Sequence, residues 1–141
     1  MEADENVLGL LNGVHLVLAG MKERQCGTII NVSFVAGRKT FPNHAAYCGT
    51  QFAVDAISEH LREELADTGV RVITLAPRAV ETELLSHTTS QNVIDAYQDW
   101  KGAIGGAIRP EDVSASALFA YQQPQNVCIR EIVIAPTRQE P

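Results

Sequence analysis

The 141-residue chain is 45% hydrophobic and 20% charged, the range of an ordinary globular domain with one core rather than a disordered or fibrous sequence. A net charge of −6, with eleven scattered basic residues, gives no electrostatic footprint for nucleic acid or anionic lipid, since phosphate binding needs clustered Lys and Arg. Cys26, Cys48 and Cys128 are an odd set without framework spacing, which points to a reducing compartment rather than a stapled secreted domain.

The apolar stretch over residues 7–21 does not read as a targeting signal. Glu2, Asp4 and Glu5 put negative charge where a signal peptide carries positive charge, and Asn12 and His15 interrupt a run too short to span a bilayer. The expectation is a cytoplasmic protein with neither membrane nor nucleic-acid partners.

Val7, Leu10, Leu11, Val14, Val17, Leu18 and Met21 recur at helical spacing, which predicts a helix over residues 4–24 that Gly27 closes. Residues 28–32, Thr-Ile-Ile-Asn-Val, predict a first strand, and Pro42 and Asn43 can open the next helix. That helix, over residues 44–68, carries Tyr47, Phe52, Val54, Ile57, Leu61 and Leu65 as its apolar set, with Glu59, Arg62, Glu63 and Glu64 as a solvated side.

Residues 70–75 predict a second strand stopped by Pro77, and residues 81–91 read as a polar lid. Val93, Ile94, Tyr97 and Trp100 mark a short helix broken by Gly102, Gly105 and Gly106. Pro110-Glu111-Asp112 is a suitable first turn for a helix to about Ala120, and residues 130–135 supply a third strand. The alternation predicts one domain over residues 1–141, a partial Rossmann-like three-layer α/β fold of about three parallel strands with flanking helices. Three strands leave the first with an open edge, and no opening βαβ unit with a Gly-rich phosphate loop is present in this sequence.

The order of motifs resembles the second half of a short-chain dehydrogenase/reductase, with a likeness to members acting on small 3-hydroxy acids and alcohols. It is carried by Asn6-Val7-Leu8-Gly9, Gly27-Thr28-Ile29-Ile30-Asn31-Val32-Ser33, Tyr47-Cys48-Gly49-Thr50, the 70–77 run, Val80-Glu81-Thr82 and Pro110-Glu111-Asp112-Val113. The resemblance implies an NAD- or NADP-dependent oxidoreductase ancestry. It implies Tyr47 as the general acid/base, Asn6 as the anchor of a water relay, and Val80 and Thr82 as cofactor contacts. It also implies a homo-oligomer formed through the helices at 4–24 and 44–68.

Three positions depart from that pattern. The family's Lys, four residues after the Tyr, shares its helix face and favours the phenolate, lowering a pKa that starts near about 10. Here that cofactor-binding position is Gln51, which has no charge to give. The family's Ser, thirteen residues before the Tyr, is Phe34 here, and strand alternation turns the neighbouring Ser33 to the other face. Where the family has Gly after Pro beside the nicotinamide, this chain has Arg78. Read without the resemblance, Tyr47 is a packed helix aromatic, Asn6 a helix cap, and His44 with Cys48 a packing pair rather than a metal site. The resulting expectation is a short-chain dehydrogenase-like chain inactive by itself, or alternatively a non-catalytic dimerisation module.

Overall fold

The computed structural model describes residues 4–34, 45–83 and 89–140. A π-helical turn, Asp4–Leu8, runs directly into α1 (Gly9–Glu23). Then come β1 (Gly27–Val32), α2 (Ala45–Glu64), β2 (Val70–Pro77), α3 (Gln91–Ala103), α4 (Pro110–Tyr121) and β3 (Glu131–Ile134). The strands form one parallel sheet in the order β1-β2-β3, with Gly27 opposite Val70 and Thr74 opposite Glu131. The predicted alternation of strand and helix is therefore the observed one, within a few residues at each boundary.

Burial explains why β2 lies in the middle. All of its residues are buried, as befits a strand covered on both faces, whereas β3 alternates between exposed and half-buried positions. The core gathers Val14 of α1, Ile29 of β1, Leu61 of α2, Leu65, and Val70 and Val72 of β2. Asn31 and Ser58, both buried in this layer, satisfy each other through a 2.9 Å hydrogen bond from Asn31 Nδ2 to Ser58 Oγ.

Several expectations need correction. The helix predicted over 4–24 is not α-helical throughout, because its first residues adopt the wider π spacing. Gly27 does not close it: Gln25 takes the positive φ of 52° that turns the chain, and Gly27 already belongs to β1. The helix expected over 44–68 is described from Ala45 and ends at Glu64, with turns following it. Pro77 is the last residue of β2, not a stop before which the strand ends. Gly69 is required at the next turn, since a Cβ there would be driven into the backbone carbonyl oxygen of Gln25.

Arg62, assigned to a solvated helix side, instead folds inward. Its guanidinium donates to the Val72 carbonyl, Thr74 Oγ1 and the Arg130 carbonyl while pairing with Glu59 at 2.9 Å. Arg71, near the start of β2 and only 5% exposed, meets no carboxylate among the described residues. It donates to Thr28 Oγ1 and to the carbonyls of Tyr121, Gln123, Pro124 and Val127. The carbonyls leaving the end of α4 carry the negative end of the helix dipole, so a cation is well placed there.

Candidate active site at the carboxyl end of the sheet

In an open parallel sheet the loops beyond the carboxyl ends of the strands converge, and this is where ligands bind. Beyond β1 lie Ser33 and Phe34, and beyond β2 lie Arg78, Ala79 and Val80. Tyr47 stands in the first turn of α2, and its half-buried ring meets that of Phe34 edge-on, with centroids 6.1 Å apart and planes at 63°. The aromatic side chain at 34 is thus the group beside the Tyr47 ring, and it offers neither a donor nor an acceptor.

Ser33 is 2% exposed, its backbone N–H donates to the Leu75 carbonyl at 2.9 Å, and its hydroxyl lies 3.5 Å from the Phe34 carbonyl. Strand β1 ends at Val32, yet Ser33 remains tied to β2, and this tie fixes the next residue, Phe34, toward α2.

Gln51 lies one turn after Tyr47 on α2 and is 7% exposed. Its Oε1 is buried without a hydrogen-bond donor among the described residues, and the Nε of Arg78 is likewise buried without an acceptor. Arg78 itself is held by a backbone bond, its N–H donating to the Ile134 carbonyl at 2.9 Å.

Asn6 lies inside the π-helical turn, which excludes the helix-cap reading. Its Nδ2 donates to Thr50 Oγ1 at 3.2 Å, and that hydroxyl donates onward to the Tyr47 carbonyl at 2.8 Å. This chain of bonds ties the π turn to the start of α2. Thr50 is a participant that spacing alone did not single out, although a hydroxyl three residues after Tyr47 is the signal for a bond to its carbonyl.

Val80 forms an isolated parallel bridge with Ile108, made by the Ile108 N–H to the Ala79 carbonyl at 2.9 Å and the Glu81 N–H to the Ile108 carbonyl at 2.8 Å. In that pattern the amide of Val80 itself points away from Ile108. Thr82 is exposed, and the lid expected over 81–91 falls partly on residues 84–88, outside the described residues. His44 is also outside them, while Cys48 is buried; no group of three or more potential metal ligands occurs among the described residues.

At the start of α4, Asp112 accepts from the Arg109 guanidinium at 2.9 Å and from the Arg109 backbone N–H at 2.9 Å. The side-chain bond, followed by the backbone bond, holds the Asp112 carboxyl below its ordinary value. The same side-chain bond holds the Arg109 guanidinium above its own.

Comparison with known proteins identifies the scaffold. The short chain dehydrogenase family model matches residues 2–93. The chain belongs to the short-chain dehydrogenase family.

Among relatives of this chain, an uncharacterized oxidoreductase of Staphylococcus saprophyticus is 38% identical over 138 residues, covering 96% of this chain and 55% of its own. An NADP-dependent 3-hydroxy acid dehydrogenase of Schizosaccharomyces pombe is 31% identical over 137 residues, covering 95% of this chain and 51% of its own. The solved closed form of a serine dehydrogenase complexed with NADP+ superposes with a TM-score of 0.85 at 31% identity. That match takes in 96% of this chain and 54% of the other. The chain therefore spans about half the length of the relatives it matches, and the partial Rossmann-like fold expected from sequence is the fold found. No helix among the described residues is long and apolar enough to cross a membrane.

Proposed function

We propose that this chain is the substrate-side half of an NAD(P)-dependent short-chain oxidoreductase of small hydroxy or keto compounds, and that it carries out no hydride transfer by itself. The observation that carries this reading is the packing of Phe34 on Tyr47, joined to the uncharged Gln51 one turn later. A phenol acts as a proton donor and acceptor at a substrate oxygen when a nearby cation lowers its pKa and a second donor holds that oxygen. At the corresponding positions this chain offers an amide and a phenyl ring. Each loss of a positioned acid/base or oxyanion donor costs roughly a hundredfold in rate, so the two together lower turnover by roughly ten-thousandfold, and Arg78 at the nicotinamide position removes more.

The residues that would face a nicotinamide fit it poorly. The family's small residue there is Arg78, half-buried at the end of β2, and a buried guanidinium Nε lies where close backbone approach is needed. Val80, with an amide turned outward, and Thr82 keep the family's cofactor-contact types, and Asn6 keeps the relay residue, so the frame is retained around a changed centre. A spectrophotometric assay with NADP+ and 3-hydroxy acids, or NADPH and ketones, tests the reading: no turnover is expected from this chain. Steady NADPH formation or consumption refutes it.

A second reading has its own support. Leu8, Leu11 and Leu16 around α1 and Phe52 on α2 are exposed, Leu16 at 81%, so the surfaces of the two N-terminal helices carry apolar side chains suited to a partner. Under it the chain is a dimerisation module, and sedimentation at micromolar concentration distinguishes a dimer from a folded monomer.

A further inference from the structure

Beyond β3, an open cleft of about 600 Å³ lies between the segment that joins α3 to α4 and the turn that follows the strand. Phe34, Tyr47, Gln51, Arg78 and Thr82 take no part in its lining. Ile104, Ala107, Ile108 and Pro136 give it apolar surface, while Thr137, Arg138, Arg109 and Asp112 supply polar groups. Both walls are tied down. Ile108 is bridged to Val80, and the turn is closed by the Gln139 N–H donating to the Pro136 carbonyl at 3.0 Å. Gln139 Oε1 also accepts from the Ala79 N–H at 3.1 Å, which fastens the turn to the segment after β2.

The two arginines of the cleft are not equivalent. Arg109 directs its Nε, its Nη2 and its backbone N–H at Asp112, so both oxygens of that carboxylate are occupied. Arg138 pairs with no carboxylate and donates to no acceptor among the described residues. Its stem is seated on Gly105, where a Cβ would lie 3.3 Å from Arg138 Cδ and 3.8 Å from Nε. Gly105 and Gly106 have φ of 80° and 99°, values open to glycine, so the chain turns here without a side chain that would push the guanidinium aside. The N–H of Ala107, the next residue, also meets no acceptor among the described residues.

We propose that this cleft binds a small organic carboxylate with an apolar body, its carboxylate on the Arg138 guanidinium and its body against Ile104, Ile108 and Pro136. Small-molecule sites are concave and mostly apolar, with a few polar groups that fix orientation, and the planar guanidinium fork matches a carboxylate. The charge balance selects one carboxylate over a phosphate. Two guanidinium groups face one carboxylate already satisfied by Arg109, which leaves a single unmatched cation, and a doubly charged anion would leave the apolar wall uncovered.

The inference stands apart from the proposed absence of hydride transfer, since no residue of the Tyr47 site lines the cleft. The test titrates the isotope-labelled chain with hexanoate and follows its amide resonances by two-dimensional NMR, which reports affinity and place together. Saturable shifts are expected at Gly105, Gly106, Ala107 and Arg138, half-complete at about 1 mM or below, and none at Tyr47 or Gln51. Hexanamide, which lacks the charge, and inorganic phosphate, which lacks the apolar body, are each expected to bind at least about tenfold more weakly. Arg138→Gln is expected to weaken hexanoate by about tenfold or more and to bring it level with hexanamide. Arg24→Gln removes the same charge from another exposed position and is expected to leave binding unchanged. Thr137→Phe, which fills the cleft from the turn, is expected to weaken hexanoate and hexanamide alike. Hexanamide or phosphate binding as tightly as hexanoate, shifts centred on Tyr47, hexanoate binding indifferent to Arg138→Gln, or no saturable shift up to ~10 mM would each overturn the proposal.

Discussion

Phe34 and Tyr47 come from different elements, the segment after β1 and the first turn of α2, and meet as an edge-to-face aromatic pair 6.1 Å between centroids. The pair exchanges chemistry for packing, because the ring that occupies position 34 stabilises the helix start but cannot hold a substrate oxygen. Edge-to-face pairs contribute about 0.5–1.5 kcal/mol beyond their buried area. Phe34→Ser is therefore expected to lower stability by about 1–2 kcal/mol in urea unfolding, and to leave hydride transfer absent because Gln51 and Arg78 are unchanged.

Gln51 shows the same exchange from the other side. Its Oε1 is buried without a donor among the described residues, and a buried acceptor so left costs about 1–3 kcal/mol relative to a satisfied one. Gln51→Met, similar in volume and without the amide, is expected to leave stability unchanged or raise it by about 1 kcal/mol. Gln51→Lys places an ammonium in that buried position and is expected to lower the unfolding midpoint. Thermal and urea unfolding of the two variants in parallel check both signs.

Arg71 joins β1, β2 and the segment after α4 through one guanidinium that contacts Thr28 Oγ1 and four backbone carbonyls. Arg71→Met would leave those acceptors without their donor in a site that is 95% shielded by the figure of 5% exposure. The expected loss is about 3–5 kcal/mol in urea unfolding. Arg71→Lys should recover little of it, since an ammonium cannot reproduce the planar fork.

The start of α4 responds to acid in a direction fixed by Asp112. The folded state holds this carboxyl below its unfolded value, through the Arg109 side-chain bond first and the backbone bond second. Its contribution is present above the unfolded pKa and is lost as pH falls through the lower folded value. Amide exchange of the first turn of α4 should accelerate across that acidic window, and Asp112→Asn should remove the pH dependence. An unchanged profile in the variant would contradict the assignment.

Much of the fold was legible in the sequence, for reasons visible in single elements. The apolar run at residues 70–75 announced a strand buried on both faces, and β2 is that strand. The i, i+3, i+4 recurrence from Val7 to Met21 announced the helix that covers β1, though not the π-helical turn that opens it, because π and α spacing differ by one residue over a turn and leave no mark in composition. The strand count also predicts the edge position that β1 takes in the sheet of the described residues.

The site was legible in its residue types and not in its contacts. The departures at 34, 51 and 78 follow from the family resemblance, but the contact of Phe34 with Tyr47 depends on Ser33 staying bonded to β2 after β1 ends. The partners of Arg71 lie about fifty residues away, and an Arg inside an apolar run gives no sign of which carbonyls will meet it. Arg62 misled for the same reason: charge pattern assigned it to solvent, while its acceptors came from β2 and from Arg130.

The measurement that bears most directly on the account is a fluorescence titration of the purified chain with NADPH, beside the triple variant Phe34→Ser, Gln51→Lys, Arg78→Gly. The account predicts no saturable signal from the chain itself across the ~1 μM to 1 mM range in which enzymes usually hold their substrates. Saturable micromolar binding by the unaltered chain, with the nicotinamide quenching Tyr47 emission, would contradict it.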